Sequence, residues 1–482
     1  MNRRCPWAGV LLVLLLAATV ATGQQNATER ALNEVLFRSR AYELLRHLSD
    51  EIGGRLSTSP AAERAVAWAE EEFRRAGTTA VHREPFPMLG WESLELSAEV
   101  VKPNHSIHLT PYANTPSLET TAPVVDLGRG TAAEFAEKKE ALAGSLLLVG
   151  SGEAPQNLEE YLSAYLQVPG IVARAVEARA ATLLLVHFQP GQILYQTVAS
   201  SGRAAPLPIF RVTREDGLWL RRRLAAGEPT ALRVRSRTRL RPQAQSWNVV
   251  AEVRGSEQPE EIVLVGAHLD SIGAGTGALD NGAGSAALLD LARLLSRSEA
   301  LRPRRTVRFV LFTGEEEGIV GSMQYVRAHK EELDRIVAMV NMDTGAGRVV
   351  AYENTGRPDV EARLKALVSK LGPLGPRAVR LGQSWYSDHG PFVLAGVPAF
   401  FLLQDTSEYE TYIHTQADTF DKVDPDDYRA ACAVLAATVV EIANLPERFA
   451  RRWTREEIRR LLAQTGEDRV LQTLGLPLWS LE

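Results

Sequence analysis

The chain reads as an α/β protein, a largely parallel central sheet flanked by helices, and three observations predict it. From Trp247 onward, short apolar runs alternate with stretches of helical periodicity, the pattern of strands paired in parallel through helical crossovers. At 482 residues the chain exceeds one ordinary core, which leaves room for a second, smaller unit. The residues suited to chemistry fall at the ends of the apolar runs, where such sheets collect their sites.

The beginning of the chain reads as a leader. Met1-Asn2-Arg3-Arg4 supplies positive charge, Ala8 to Val20 an apolar core, and Ala18, Ala21 and Gly23 a small-residue cleavage site. That apolar run is short for a membrane span. Residues 1–23 are therefore expected to be a signal peptide, and the protein secreted or periplasmic. Loss of Arg3 and Arg4 with the leader moves the formal charge from −5 to −7, which gives no support to a nucleic-acid partner. Cys5 leaves with the leader, so Cys432 remains alone and no internal disulfide forms. Asn26-Ala27-Thr28 and Asn104-His105-Ser106 match the N-glycosylation pattern.

Residues 24–99 open a catalytic domain with two helices, Glu29–Leu48 and Ala61–Ala76, punctuated by Gly53-Gly54 and Ser57-Thr58-Ser59-Pro60. Residues 100–240 change texture to short strands such as Ser145–Val149, Ala181–His187 and Pro206–Phe210, with helices at Val168–Arg179 and Glu215–Ala225. No His, Cys or acidic cluster stands there, so this reads as a second domain without chemistry of its own. Residues 241–445 carry strands at Asn248–Arg254, Ile262–His268, Thr306–Thr313 and Val337–Asp343, and helices at Ala283–Arg297, Ile319–Leu333, Val360–Leu371 and Pro425–Leu445. The tail, 446–482, holds an Arg-rich helical pattern at Thr454–Gln464 whose charges read as a solvated face.

Five motifs carry the chemistry. His268-Leu269-Asp270 ends a strand, and Asp270 two residues on can approach the imidazole of His268, fixing its tautomer and raising its basicity; such a pair is also a common hydrogen-bonded one. Gly277 to Gly284 is a small-residue turn in which Asp280 bridges two ions or, more plainly, caps the following helix. Gly314-Glu315-Glu316-Glu317-Gly318 follows a buried-type strand; Glu316 can ligate a metal while Glu315 takes the proton of a bound water, and Glu317 is expected to face solvent. Asn341-Met342-Asp343-Thr344 offers a further carboxylate. Tyr412 to Thr419 supplies a second imidazole, His414, with Asp418 as its orienter. Two histidines and three carboxylates form a mixed nitrogen and oxygen set that suits zinc, and the lack of cysteine argues against a structural zinc site. Two such ions can bind one hydroxide and clamp the oxyanion formed at a carbonyl.

These segments, HLDS at 268–271, LDNGAG at 279–284, GEEEGIVGS at 314–322, NMDT at 341–344 and HTQADT at 414–419, resemble in order and spacing the co-catalytic di-zinc exopeptidases. That family includes bacterial leucyl aminopeptidases and plasma glutamate carboxypeptidase (carboxypeptidase Q), and the likeness spans roughly residues 247–445. It implies the zinc exopeptidase fold and two Zn²⁺ ions per chain. By the same resemblance His268 and Asp343 hold one ion, Glu316 and His414 the other, Asp280 bridges them, and Glu315 is the general base. It also implies a cis peptide at Asp280–Asn281. Residues 100–240 resemble the protease-associated domain inserted in several members, a lid that would restrict access to short peptides. Asp388, in the Ser387-Asp388-His389 segment, reads either as a partner of the base or as a loop turn, and His389 is not expected to ligate.

The expectation is a secreted zinc exopeptidase acting on short peptides or dipeptides. Its rivals are a single-zinc glutaminyl cyclase, which resembles the same core, and a non-catalytic binding module on that scaffold. The partners expected are a short peptide, no nucleic acid, no membrane once the leader is gone, and at most a second copy of the chain as a homodimer.

Overall fold

Alternation of polar and apolar residues is written most plainly in Ala231–Val253. Leu232, Val234 and Ser236 turn inward while Arg233, Arg235 and Arg237 face out, the two-residue period of a half-buried strand. The protein is described here by a computed structural model covering residues 27–154, 158–199, 202–354, 356–382, 386–468 and 471. The expected leader therefore lies outside the described residues. None of the described helices is long and apolar enough to cross a membrane.

Among the described residues the strands are β1 (Thr79–Val100), β2 (His105–Ser106), β3 (Leu109–Pro111), β4 (Leu118–Asp126), β5 (Leu146–Val149), β6 (Thr182–Val186) and β7 (Ile209–Val212). They continue with β8 (Ala231–Val253), β9 (Gln258–His268), β10 (Arg305–Phe312), β11 (Ile336–Asn341), β12 (Val349–Glu353), β13 (Ala378–Arg380) and β14 (Ala399–Gln404). The order β13-β12-β14-β11-β9-β10-β8 makes the catalytic sheet. It continues through β8 into β4-β5-β6-β7-β3, the sheet of the smaller unit. The strands β14, β11, β9 and β10 run parallel, so their carboxyl ends share one edge.

β1 and β8 pair antiparallel from Thr79 opposite Glu252 to Val100 opposite Leu232. The sequence reading expected short strands up to Thr238; the two units are instead joined by this continuous ribbon, and position 240 lies inside β8. Pro85, Pro87 and Gly90 interrupt the apolar pattern of β1, and a register shift between Met88 and Gly90 absorbs them. Exposed pairs such as Arg233–Glu99 at 2.6 Å and Arg239–Glu92 at 3.0 Å line the ribbon, each worth only a few tenths of a kcal/mol.

Helices cover both faces of the catalytic sheet. On one side lie Pro60–Ala76, Ala283–Arg297 and Pro425–Asn444; on the other, Tyr325 and Val326, Phe392, and Ile458, Leu461 and Leu462 of the tail helix Arg455–Thr465. The Pro60–Ala76 helix is specified locally. Ser59 accepts from the Ala62 amide, Pro60 takes the first turn, and Gly77 closes it in the left-handed region at φ +88°, the cap contributing about 1 kcal/mol. The single helix expected over Glu29–Leu48 is two, Ala27–Arg38 and Ala41–Arg46, because the Asp290 carboxylate accepts from Ser39 Oγ and the Arg40 amide between them. The helix expected over Ile319–Leu333 stops at Ala328, with a separate short turn at Leu333–Arg335.

Candidate metal centre

Each site residue stands at the carboxyl edge of the parallel strands. His268 is the last residue of β9 and pairs in register with Phe312, the last of β10, so the loop bearing Glu315 and Glu316 starts beside it. Asn341 ends β11 and lies level with Gly266, which puts Asp343 on the same edge. Asp280 occupies the turn between β9 and the Ala283–Arg297 helix, and His414 follows β14 through the short helix Ser407–Tyr412.

Two triads result. His268 Nε2 lies 3.1 Å from Asp343 Oδ1 and 3.2 Å from Asp280 Oδ1. His414 Nε2 lies 3.3 Å from Asp280 Oδ2 and 3.1 Å from Glu316 Oε2. Donor atoms around a tetrahedral zinc with bonds of about 2.0 Å sit about 3.3 Å apart, so each triad has the spacing of one such site. Asp280 belongs to both, one oxygen to each.

The loops are tied down by the residues between the ligands. Asp418 accepts from the amides of Leu279 and Asp280, at 2.7 and 3.1 Å; it braces the Asp280 turn and not His414, the role expected of it. The Asp280–Asn281 peptide is cis, and Asn281 Nδ2 donates to the Met342 carbonyl at 2.9 Å. A Cβ on Gly284 would come within 2.4 Å of that same carbonyl, so only glycine lets the turn close against the loop of Asp343. Asp270 acts partly otherwise than expected. The His268 Nδ1 contact is to its backbone carbonyl at 3.1 Å, with its carboxylate 3.6 Å away. Its Oδ2 accepts from Ser57 Oγ and from the Glu316 amide, at 3.0 and 3.3 Å, so it also anchors a residue of the other triad. Arg55, wholly buried, donates to the carbonyls of Leu269, Thr276 and Gly277, the three points where the ligand loops begin and turn.

Glu317 is a correction: it is buried, 2% exposed, against Ser57 and Asp270, and not turned to solvent. Residues 315–318 form a turn in which Glu316 and Glu317 both point into the protein. Glu315 keeps partial contact with solvent although protein surrounds most of it. Asp388 is fully buried beside the Ser322 hydroxyl, and neither of its oxygens meets a donor at good geometry. His389 packs on Phe401 and belongs to neither triad.

Charge in this pocket is heavily negative. Burial first, then mutual repulsion, holds Glu315, Glu316, Glu317 and Asp343 above the ordinary carboxylate range. Burial pushes Asp388 up to about 8 and Asp418 to about 7. Burial alone would raise Asp280 as well, but hydrogen bonds from His268 and His414 outweigh it and hold that carboxyl below the ordinary range. Burial opposes charge on both imidazoles too, yet Asp343 and Asp280 around His268, and Glu316 and Asp280 around His414, raise them well above the usual histidine value. The protons on these two rings stand where cations would neutralise the same acids. A divalent ion in each triad fits the donor set, the spacing and the charge.

Sequence reasoning missed several neighbours. Ser57 and Arg55 lie in a stretch read only as punctuation. Ser387 Oγ donates to Asp343 Oδ2. Tyr409 has its phenol pushed up by burial and then by Asp280, Asp343, Glu316 and Glu315, which puts its ring beside the cluster. Tyr195 comes from the smaller unit: its hydroxyl lies 3.3 Å from His414 Nδ1, so that unit does reach the chemistry.

Acids and imidazoles gathered at the carboxyl edge of a parallel sheet are the equipment of a metal-dependent hydrolase, and comparison with known proteins narrows the class: the protein is a metallo-exopeptidase. Residues 248–439 match Peptidase family M28, and the chain carries an M28 domain. Human carboxypeptidase Q is 29% identical over 431 residues, 86% of this chain and 87% of that protein. Aminopeptidase YwaD of Bacillus subtilis is 25% identical over 454 residues, 90% and 91% of the two chains. Among solved structures, a peptidase M28 precursor from Shewanella amazonensis superposes with a TM-score of 0.79 at 25% identity, covering 89% of this chain and 98% of the other. BSAP, a zinc aminopeptidase from Bacillus subtilis, shares the fold, with a TM-score of 0.67 at 20% identity over 86% and 97% of the chains.

Proposed function

We propose that the protein is a secreted, dinuclear zinc exopeptidase that hydrolyses short peptides or dipeptides. The observation that carries the reading is the division of Asp280 between the two triads, which gives two cation positions sharing one carboxylate. His268 and Asp343 would hold one zinc, Glu316 and His414 the other, and Asp280 both. Zinc, when bound, supplies Lewis acidity that acidifies a water and polarises the scissile carbonyl.

The chain's own residues do the rest. Glu315, adjacent to a ligand but in neither triad, accepts the proton of the attacking water and delivers it to the leaving amine, which departs neutral. Asp270 holds Ser57 and the Glu316 backbone, keeping the base-bearing turn in place. A small cleft lined by Ile272, Gly275, Asp280, Glu316, His414 and Thr415 opens onto the Glu316–His414 position. Residues 100–240 act as a protease-associated lid that favours short substrates. The match with carboxypeptidase Q supports this reading, since it runs well beyond the M28 domain. Secretion rests on the leader pattern at 1–23.

Zinc content and a panel of dipeptides, unblocked, N-blocked and C-blocked, test the proposal together. Two zinc ions per chain with cleavage of unblocked dipeptides is the expected result, and the blocked forms tell which terminus is recognised. One zinc with pyroglutamate formation from N-terminal glutamine would replace this reading by the cyclase.

A further inference from the structure

The stretch 189–199 leaves the smaller unit and lies along the loop that carries His414. The contact is backbone to backbone in both directions. The Gln196 amide donates to the His414 carbonyl at 2.8 Å, the Gln416 amide to the Leu194 carbonyl at 3.2 Å, and Tyr195 bridges Thr415 antiparallel. Leu194 N also donates to Gln416 Oε1 at 2.7 Å, and Gly202 N, further along, to the Glu317 carbonyl at 2.9 Å.

Tyr195 stands at the centre of this seam. Its ring lies 5.0 Å from that of His187 at 25°, with the Arg211 guanidinium 5.2 Å over it, so two neighbours fix the aromatic plane. His414 directs Nε2 at Asp280 and Glu316, which makes that nitrogen the one available to a metal. A neutral imidazole that ligates through Nε2 carries its proton on Nδ1. That N–H donates to the Tyr195 hydroxyl oxygen, 3.3 Å away. The corresponding nitrogen of His268 is served from within the catalytic domain, by the Asp270 carbonyl.

We propose that Tyr195 is the positioning residue of His414: it sets the tautomer and ring angle of that ligand, and so makes the affinity of the Glu316–His414 position for zinc depend on the docked smaller unit. The inference rests on the dinuclear reading above. Partners of this kind are worth about 10- to 100-fold in metal affinity.

Tyr195→Phe keeps the ring and its stacking and removes only the oxygen. Zinc content and the two dissociation constants, measured by competition with chelators of graded strength, need no turnover. The expected result is one zinc held at least about 10-fold more weakly and the other held as in the wild type. Two zincs held as tightly as in the wild type, or both weakened alike, would overturn the role of Tyr195. A wild-type protein that binds a single zinc would instead bring down the dinuclear reading on which it rests.

Discussion

Asp280 divides its carboxylate between His268, 3.2 Å from Oδ1, and His414, 3.3 Å from Oδ2. Each oxygen serves one ring, so both must be acceptors. Asp280→Asn turns one oxygen into an N–H₂ donor facing an imidazole and one further acid. Zinc content is expected to fall toward one per chain, and dipeptide turnover by about 10²-fold or more, a loss of several kcal/mol of charge stabilisation. Zinc analysis beside the kinetic assay checks both; two retained ions would refute the bridge.

Glu315 belongs to neither triad yet stands next to Glu316, so its carboxyl can be changed without subtracting a ligand. Glu315→Gln preserves shape and hydrogen bonding but cannot accept a proton. Both zinc ions are expected to stay bound while kcat falls by about 10²- to 10⁴-fold with KM little changed. A variant that turns over at the wild-type rate would assign the proton transfer elsewhere.

Protons and zinc compete for the same groups, and the sign of the pH dependence follows. In the metal-free protein Asp388 titrates near 8 and Asp418 near 7, against about 3.9 in an unfolded chain. His268 and His414 are likewise raised when folded. All four make the folded state bind more protons than the unfolded one, so stability falls with rising pH, through roughly 4 to 8 for the two acids and from about 6.5 upward for the two imidazoles. Zinc would displace the protons held on the two ligand imidazoles, His268 and His414, so its affinity rises with pH. Thermal unfolding after chelation should show Tm dropping between about pH 5 and pH 8, with the gap to the zinc-loaded protein widening. A metal-free Tm that rises across that range would contradict the burial of these acids.

The catalytic strands and the Ala283–Arg297 helix could be placed from sequence because buried parallel strands are continuous apolar runs and that helix has clear periodicity. Three of the five ligand candidates, His268, Glu316 and Asp343, meet because they lie at or just past the ends of parallel strands, and the turn before the Ala283–Arg297 helix and the segment after Ser407–Tyr412 bring Asp280 and His414 to the same edge. What sequence hid was non-local or irregular. The length of β1 was masked by Pro85, Pro87 and Gly90, which interrupt its apolar pattern. The inward turn of Glu317 was hidden because a tight turn between glycines has no fixed side-chain period, and an acid there reads as exposed. Ser57 reaches Asp270 across more than two hundred residues, and Tyr195 reaches His414 across a similar span, so neither left a local trace.

Arg55 offers a test of whether the ligand loops are held by packing or by charge. Its guanidinium donates to the carbonyls of Leu269, Thr276 and Gly277, and faces Asp418, Asp270, Asp280 and Glu316. Burial lowers its pKa to about 10, which leaves it charged at neutral pH. Arg55→Met retains much of the volume but strands three buried carbonyls and removes a cation from a pocket of acids. The loss is expected to be about 3–5 kcal/mol in urea unfolding of the metal-free protein. Zinc neutralises some of the same carboxylates, so the loss should be smaller when the protein is zinc-loaded. If the side chain only filled space, the two forms would lose equally, since zinc leaves the packing around Arg55 unchanged.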